Sequence, residues 1–193
     1  MSRLRVVAAN PRLALGALLT LLLAAGAVVG SGADFTASSA NPANTFASGT
    51  LSVVNSKEGT AVLSATGLRP TGSAVGTVDI QNSGSLGGAF TLSRTAPVDS
   101  DTSNPMSAKL NVTVVDCGTW TATPPTCGDG DDVVKYGSGT LAQMGTAGHA
   151  ISALGTYAAD EKHRYQFTVQ LDASAGNAYQ GDSSSVEFDF NAA

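Results

Sequence analysis

The stretch Tyr165-Gln166-Phe167-Thr168-Val169-Gln170-Leu171 alternates large apolar and polar side chains without a break. Side chains of an extended chain point to opposite faces in turn, so a period of two predicts a strand with one buried face. The same signature recurs along the chain in Leu51 and Val53, in Ala61, Leu63 and Ala65, and in Val78 and Ile80. It continues in Phe90 and Leu92, in Leu110, Val112 and Val114, and in Val186, Phe188 and Phe190. Gly, Pro, Asn and Ser separate these runs, as turn chemistry requires. Helix has one short candidate here, residues 140–144, confined by Gly139, Gly145 and Gly148. Many short strands without long helices between them predict an all-β fold, an antiparallel β-sandwich or jelly roll.

Composition narrows the function classes. Charged residues make up 13% of the 193, about half the usual ~25%, which excludes a typical disordered chain or coiled coil. A net charge of −5 argues against nucleic acid as a partner. No repeat of 20–50 residues is visible, so a solenoid or propeller is not expected.

The N-terminus reads as an address. Arg3, Arg5 and Arg12 precede an apolar run from Leu13 to Val29, and Ser31-Gly32-Ala33 offers small residues for cleavage between Ala33 and Asp34. Basic, apolar and small-x-small regions in that order predict a helical secretory signal over 1–33. The alternative is an uncleaved anchor, since the run nears the ~18 residues of a membrane span. Cleavage removes three of the ten basic residues and none of the fifteen acids, leaving a mature form near −8. Residues 34–44 are then too poor in apolar side chains to hold themselves in a core. They predict a mobile arm or a strand in need of a partner. A single domain over 45–193 follows.

Cys117 and Cys127 enclose GTWTATPPT, and an even pair in an exported chain predicts a disulfide before a metal half-site. His149 and His163 have no zinc-ligand spacing and read as exposed loop and strand-edge residues. No H-E-x-x-H, G-x-S-x-G or P-loop occurs, so no catalytic residue, cofactor or metal site is expected. Asp131-Asp132 and Asp160-Glu161 read as solvated turns, and residues 98–105 as an acidic exposed loop. Clustered oxygens at Asp129, Asp131 and Asp132 leave calcium as an option, in a spacing that fits no EF-hand. Asn111-Val112-Thr113 matches a glycosylation acceptor but lies inside an expected strand.

Three segments in order carry a resemblance. They are TFASGTLSV at 45–53, Leu68-Arg69-Pro70 followed by Asn82-Ser83-Gly84-Ser85-Leu86, and NAYQG at 177–181 before Val186, Phe188 and Phe190. Together, behind this signal, they resemble the TasA/camelysin family of exported bacterial matrix proteins. The likeness covers both ends of the mature domain and only poorly residues 94–160. Pro70-Thr71-Gly72 departs from the family's Pro-Gly, and the bridged middle is not a family hallmark.

The resemblance implies a jelly-roll subunit, released by a dedicated signal peptidase, that polymerises head to tail into biofilm-matrix or cell-surface fibres. The N-terminal strand of one copy would enter the sheet of the next. Phe35 is the expected anchor of that strand, with Ala37 and Ala40 at shallow positions. An accessory or anchoring matrix protein is a further partner of such fibres. The alternatives are a monomeric secreted binding module and, by family name alone, a metallo-endopeptidase. Tyr179-Gln180-Gly181 reads as a turn and Phe46 as core.

Overall fold

The structure is a computed structural model, and it describes residues 11–30 and 48–193. Ala33, Asp34, Phe35, Ala37, Ala40 and Phe46 lie outside the described residues. The chain separates into two compact units, Met1–Phe46 and Ala47–Ala193.

In the first unit, helix α1 runs Pro11–Gly30. Proline suits a first helical position because its missing N–H would be unpaired there anyway. The Leu- and Ala-rich sequence that follows has high helix propensity. Thr20 Oγ1 donates back to the Gly16 and Ala17 carbonyls at 3.1 and 3.0 Å.

The second unit is built of antiparallel strands. In chain order they are β1 (Val53–Asn55), β2 (Ser73–Asn82), β3 (Gly88–Arg94), β4 (Val98–Asp99) and β5 (Leu110–Thr119). Then come β6 (Val133–Thr140), β7 (Gly155–Tyr157), β8 (Lys162–Leu171), β9 (Ser184–Ser185) and β10 (Phe188–Ala192). Five form a sheet in the order β1-β2-β8-β5-β6, three form β10-β3-β7, and β4 pairs with β9. This is an all-β, sandwich-like architecture.

Strand β8 shows why. Its residues Tyr165, Phe167, Val169 and Leu171 are buried, while the side chains between them are more exposed. The buried set faces the smaller sheet, and Phe167 meets Phe188 of β10 with ring centroids 4.7 Å apart. Phe90 of β3 stacks on Tyr157 of β7 at 4.1 Å. Val78, Ile80, Val112 and Val114 complete the layer from the larger sheet.

Several local expectations need correction. Ala61, Leu63 and Ala65 alternate in sequence but belong to no strand, because residues 61–70 run outside the ladders. Residues 140–144 form a turn, not a helix, with Met144 N–H donating to the Thr140 carbonyl at 3.0 Å. The loop at 98–105 contributes β4, whose Val98 and Asp99 pair with Ser185 and Ser184. Strands β6 and β7 have no counterpart in the periodicity, since β6 reads VVKYGSGT and β7 has three residues.

Two of the quoted motifs, at 45–53 and 82–86, meet in space through Thr50. Asn82 is fully buried at the β2–β3 corner, where Nδ2 donates to the Leu86 carbonyl at 2.7 Å and the Ala158 carbonyl at 3.1 Å. Its Oδ1 accepts from Gly84 N–H at 3.0 Å. Thr50 docks there, its N–H on Ser85 Oγ and its carbonyl accepting from Leu86 N–H. A Cβ on Gly84 would lie 2.3 Å from the Thr50 carbonyl oxygen, so only glycine admits the approach.

The turn before β2 carries strain. Gly72 N–H closes onto the Arg69 carbonyl at 2.7 Å, with Pro70 at the second position and Thr71 at the third. Thr71 has φ 66°, a left-handed backbone that β-branched residues rarely adopt. Replacing Thr71 by Gly is expected to stabilise the domain by about 1 kcal/mol, read as a higher urea midpoint.

Cys117 and Cys127 form a disulfide, with Cα atoms 4.9 Å apart and a sequence separation of 10. It closes the loop between β5 and β6. The Cys117→Ala, Cys127→Ala double variant should lose about 2–3 kcal/mol of stability, as chain entropy predicts for so short a loop.

Candidate functional site

A wide concavity lies where the ladders stop. A groove of about 860 Å³ opens between residues 61–70 on one side and Tyr179, residues 183–186 and Phe188 on the other. Its floor is core, with Leu110, Leu141, Val169 and Leu171 among its side chains. Glycine makes the first wall possible, because a Cβ on Gly76 of β2 would stand 2.2 Å from the Val62 carbonyl oxygen. A second cleft, of about 550 Å³, shares Ala61, Val62, Val186 and Phe188 with the groove. It continues along β10 to Asn191, facing Val53 and Asn55 of β1.

Groove and cleft follow one edge of β10. Its other edge pairs with β3 from Phe188↔Arg94 to Ala192↔Phe90. The Glu187 carbonyl accepts from Thr95 N–H, and Ala193 and Ala89 exchange both their hydrogen bonds. Antiparallel pairing alternates, so Glu187, Asp189, Asn191 and Ala193 turn their backbone groups to β3. Phe188, Phe190 and Ala192 therefore aim N–H and C=O away from it. Among the described residues no strand pairs with that edge. Two polar atoms nearby, Asp182 Oδ2 and Ser184 Oγ, are buried without a hydrogen-bond partner among the described residues. Both residues line the groove. Unpaired edge groups beside apolar side chains and orphaned acceptors are what an added polypeptide strand satisfies.

Tyr179 sits in a 3₁₀ turn, Asn177–Tyr179, on the groove wall, and Lys109 Nζ lies 5.9 Å from its ring centroid. Gly181 follows with φ 84°. The expected interface residues Phe35, Ala37 and Ala40 lie outside the described residues, so their seat is not part of this geometry. The groove itself was missed by sequence reasoning. Its one signal was that Ala61, Leu63 and Ala65 sit in a segment holding Gly67 and Pro70.

The ionisable residues correct a second expectation. His163 is not an exposed strand-edge residue, since only 14% of its side chain is accessible. Its Nδ1 lies 3.0 Å from both Asp116 oxygens and its Nε2 3.0 Å from Glu161 Oε1. Glu161 is thus not a merely solvated turn residue. Both ring nitrogens face carboxylates, leaving neither directed at a hydroxyl nucleophile. Asp129 Oδ1 accepts from Asp131 N–H at 3.3 Å, and Asp132 Oδ2 from Gly128 N–H at 2.6 Å. Among the described residues no three His, Cys, Asp or Glu side chains are grouped to hold a metal ion.

No protein-family model matches the chain, and no curated protein shows significant similarity to it.

Proposed function

We propose that this chain is a secreted structural subunit that polymerises into extracellular fibres of a bacterial biofilm matrix or cell surface by donor-strand exchange. The observation that carries the proposal is an edge of β10 that no strand pairs with among the described residues, beside an apolar groove. Residues 34–44 of a neighbouring copy supply the strand, with Phe35 as its anchor and Ala37 and Ala40 at the shallow positions. Burying a Phe side chain contributes about 1.5–3 kcal/mol, and backbone pairing adds register. Head-to-tail addition does not close on itself, so it propagates as a filament. The resemblance to the TasA/camelysin family points the same way.

The finer architecture proposed is a jelly roll. Its support is that β8 returns beside β5, with β2 and β6 on the outer sides, while β3 and β7 pair in the second sheet. That order supports a Greek-key path wrapped over two sheets. The bridged segment between β5 and β6 then stands where further strands would be expected. Export follows from the basic, apolar and small-residue order of residues 1–33, with a signal peptidase acting at Ala33–Asp34. An accessory or anchoring matrix protein would be a further partner of the fibre.

Negative-stain electron microscopy of protein purified from the culture medium tests the proposal. Filaments with a regular subunit repeat are expected. Dispersed particles at all concentrations would favour a monomeric binding module, and casein cleavage abolished by a chelator would favour the metallo-endopeptidase alternative.

A further inference from the structure

A charged cluster at the start of β8 is not used by the groove. His163 lies on the core face, two residues before Tyr165, and stacks on Tyr157 of β7 with centroids 4.2 Å apart. Asp116 of β5 is 5% exposed and faces it from the neighbouring strand. Lys135 of β6 comes within 3.6 Å of Asp116 Oδ2 and donates to the Leu154 carbonyl at 2.9 Å, just before β7. Glu161 closes the β7–β8 turn, its Oε2 accepting from Ala158 N–H at 2.6 Å while Oε1 faces His163. Tyr157 and Tyr165 hydroxyls are hydrogen-bonded beneath the ring. Four charges from four segments thus meet in a half-buried space beside the Cys117 bridge.

The geometry requires a charged ring. A neutral imidazole has one N–H, whereas both nitrogens here face carboxylate oxygens, and only the imidazolium donates to both. Deprotonation turns a lone pair on one carboxylate and leaves Asp116 and Glu161 with Lys135 alone as counter-charge. We propose that Asp116, Lys135, Glu161 and His163 form a pH-released clasp that holds the β7–β8 corner against β5 and β6 in mildly acidic medium and loosens it in alkaline medium.

The electrostatics agree in sign. Burial, the largest influence on His163, disfavours its charge, but hydrogen bonds and attraction from Asp116 and Glu161 outweigh it, so its pKa is raised. A raised histidine contributes stability fully below its unfolded value of about 6.5, and the contribution is lost as pH climbs through the folded value. Burial likewise disfavours the Asp116 charge, yet the His163 and Gly118 hydrogen bonds and the His163 and Lys135 charges prevail and lower its pKa. That contribution is present above its unfolded value near 4 and disappears as pH falls through the folded one. The clasp is fully closed between those limits. Burial raises Tyr157 and Tyr165, so both stay neutral throughout.

The test is thermal unfolding of the purified protein and its His163→Gln variant from pH 6 to pH 9, with His149→Gln as control. The wild type and the control should lose a few degrees of midpoint across that range, and His163→Gln should be flat and already low at pH 6. An NMR titration of the wild-type histidine signals, assigned with the control, should place His163 above about 6.5. Equal slopes in wild type and His163→Gln, or a His163 midpoint at or below 6.5, would overturn the clasp. Should the variant not fold, the wild-type titration decides alone.

Discussion

Removing residues 34–44 should abolish filament formation while leaving a folded monomer. The domain beyond residue 47 has its own two-sheet core, including Phe90, Phe167, Tyr157 and Tyr165, so the deletion variant is expected to fold. On the proposed mechanism, loss of the arm removes the donated strand but keeps the acceptor edge of β10. The deletion variant should therefore sediment as a monomer with an unchanged far-ultraviolet spectrum, and microscopy should find no filaments. The point variant Phe35→Asp should weaken assembly through the anchor alone. Blocking cleavage between Ala33 and Asp34 should have the deletion's effect, because the arm stays tethered. If the deletion variant polymerises at the normal rate, the arm is only a linker.

The largest effect on folding is expected at Phe167. Its ring is completely buried and meets Phe188 at 4.7 Å and Phe190 at 6.4 Å, joining the two sheets. Truncation to Ala removes the transfer energy of the ring and leaves a cavity that rigid strands on both sides cannot close. Phe→Ala changes of this kind cost about 3–5 kcal/mol. For a domain of this size the melting midpoint should drop by roughly 8–15 °C, measured by calorimetry or circular dichroism. A drop of only a degree or two would mean that the sheets are not joined at this point.

Strand β8 was legible because its period of two is unbroken from Tyr165 to Leu171 and because both neighbours, β2 and β5, share the pattern. The same rule misled at Ala61, Leu63 and Ala65. Alternation reports which side chains are apolar, not whether a neighbouring backbone is there to bond. Residues 61–70 keep their apolar side chains toward the groove without joining a ladder. Strand β6 escaped detection because its pairing with β5 is irregular between Val112 and Val115, and because Gly137 and Gly139 dilute the pattern.

His163 was misjudged for a different reason. It continues a buried series by one step before Tyr165, as its partner Asp116 does after Val114, so its burial was implied by the periodicity. Treating charged side chains as surface residues overrode that implication. Only tertiary structure brings the two together, 47 positions apart in the chain. The disulfide was legible from the even cysteine pair and the expected export signal alone. The groove was barely legible, since one of its walls, residues 61–70, joins no ladder.

The central claim is that the unpaired edge of β10 receives residues 34–44. A synthetic peptide of that sequence, titrated into isotope-labelled protein lacking residues 1–44, tests it most directly. Saturable shift changes should appear at the Phe188, Phe190 and Ala192 amides, with slowed hydrogen exchange there, and a Phe35→Asp peptide should bind more weakly. Unchanged β10 amides at saturating peptide, or changes confined to other strands, would contradict the account.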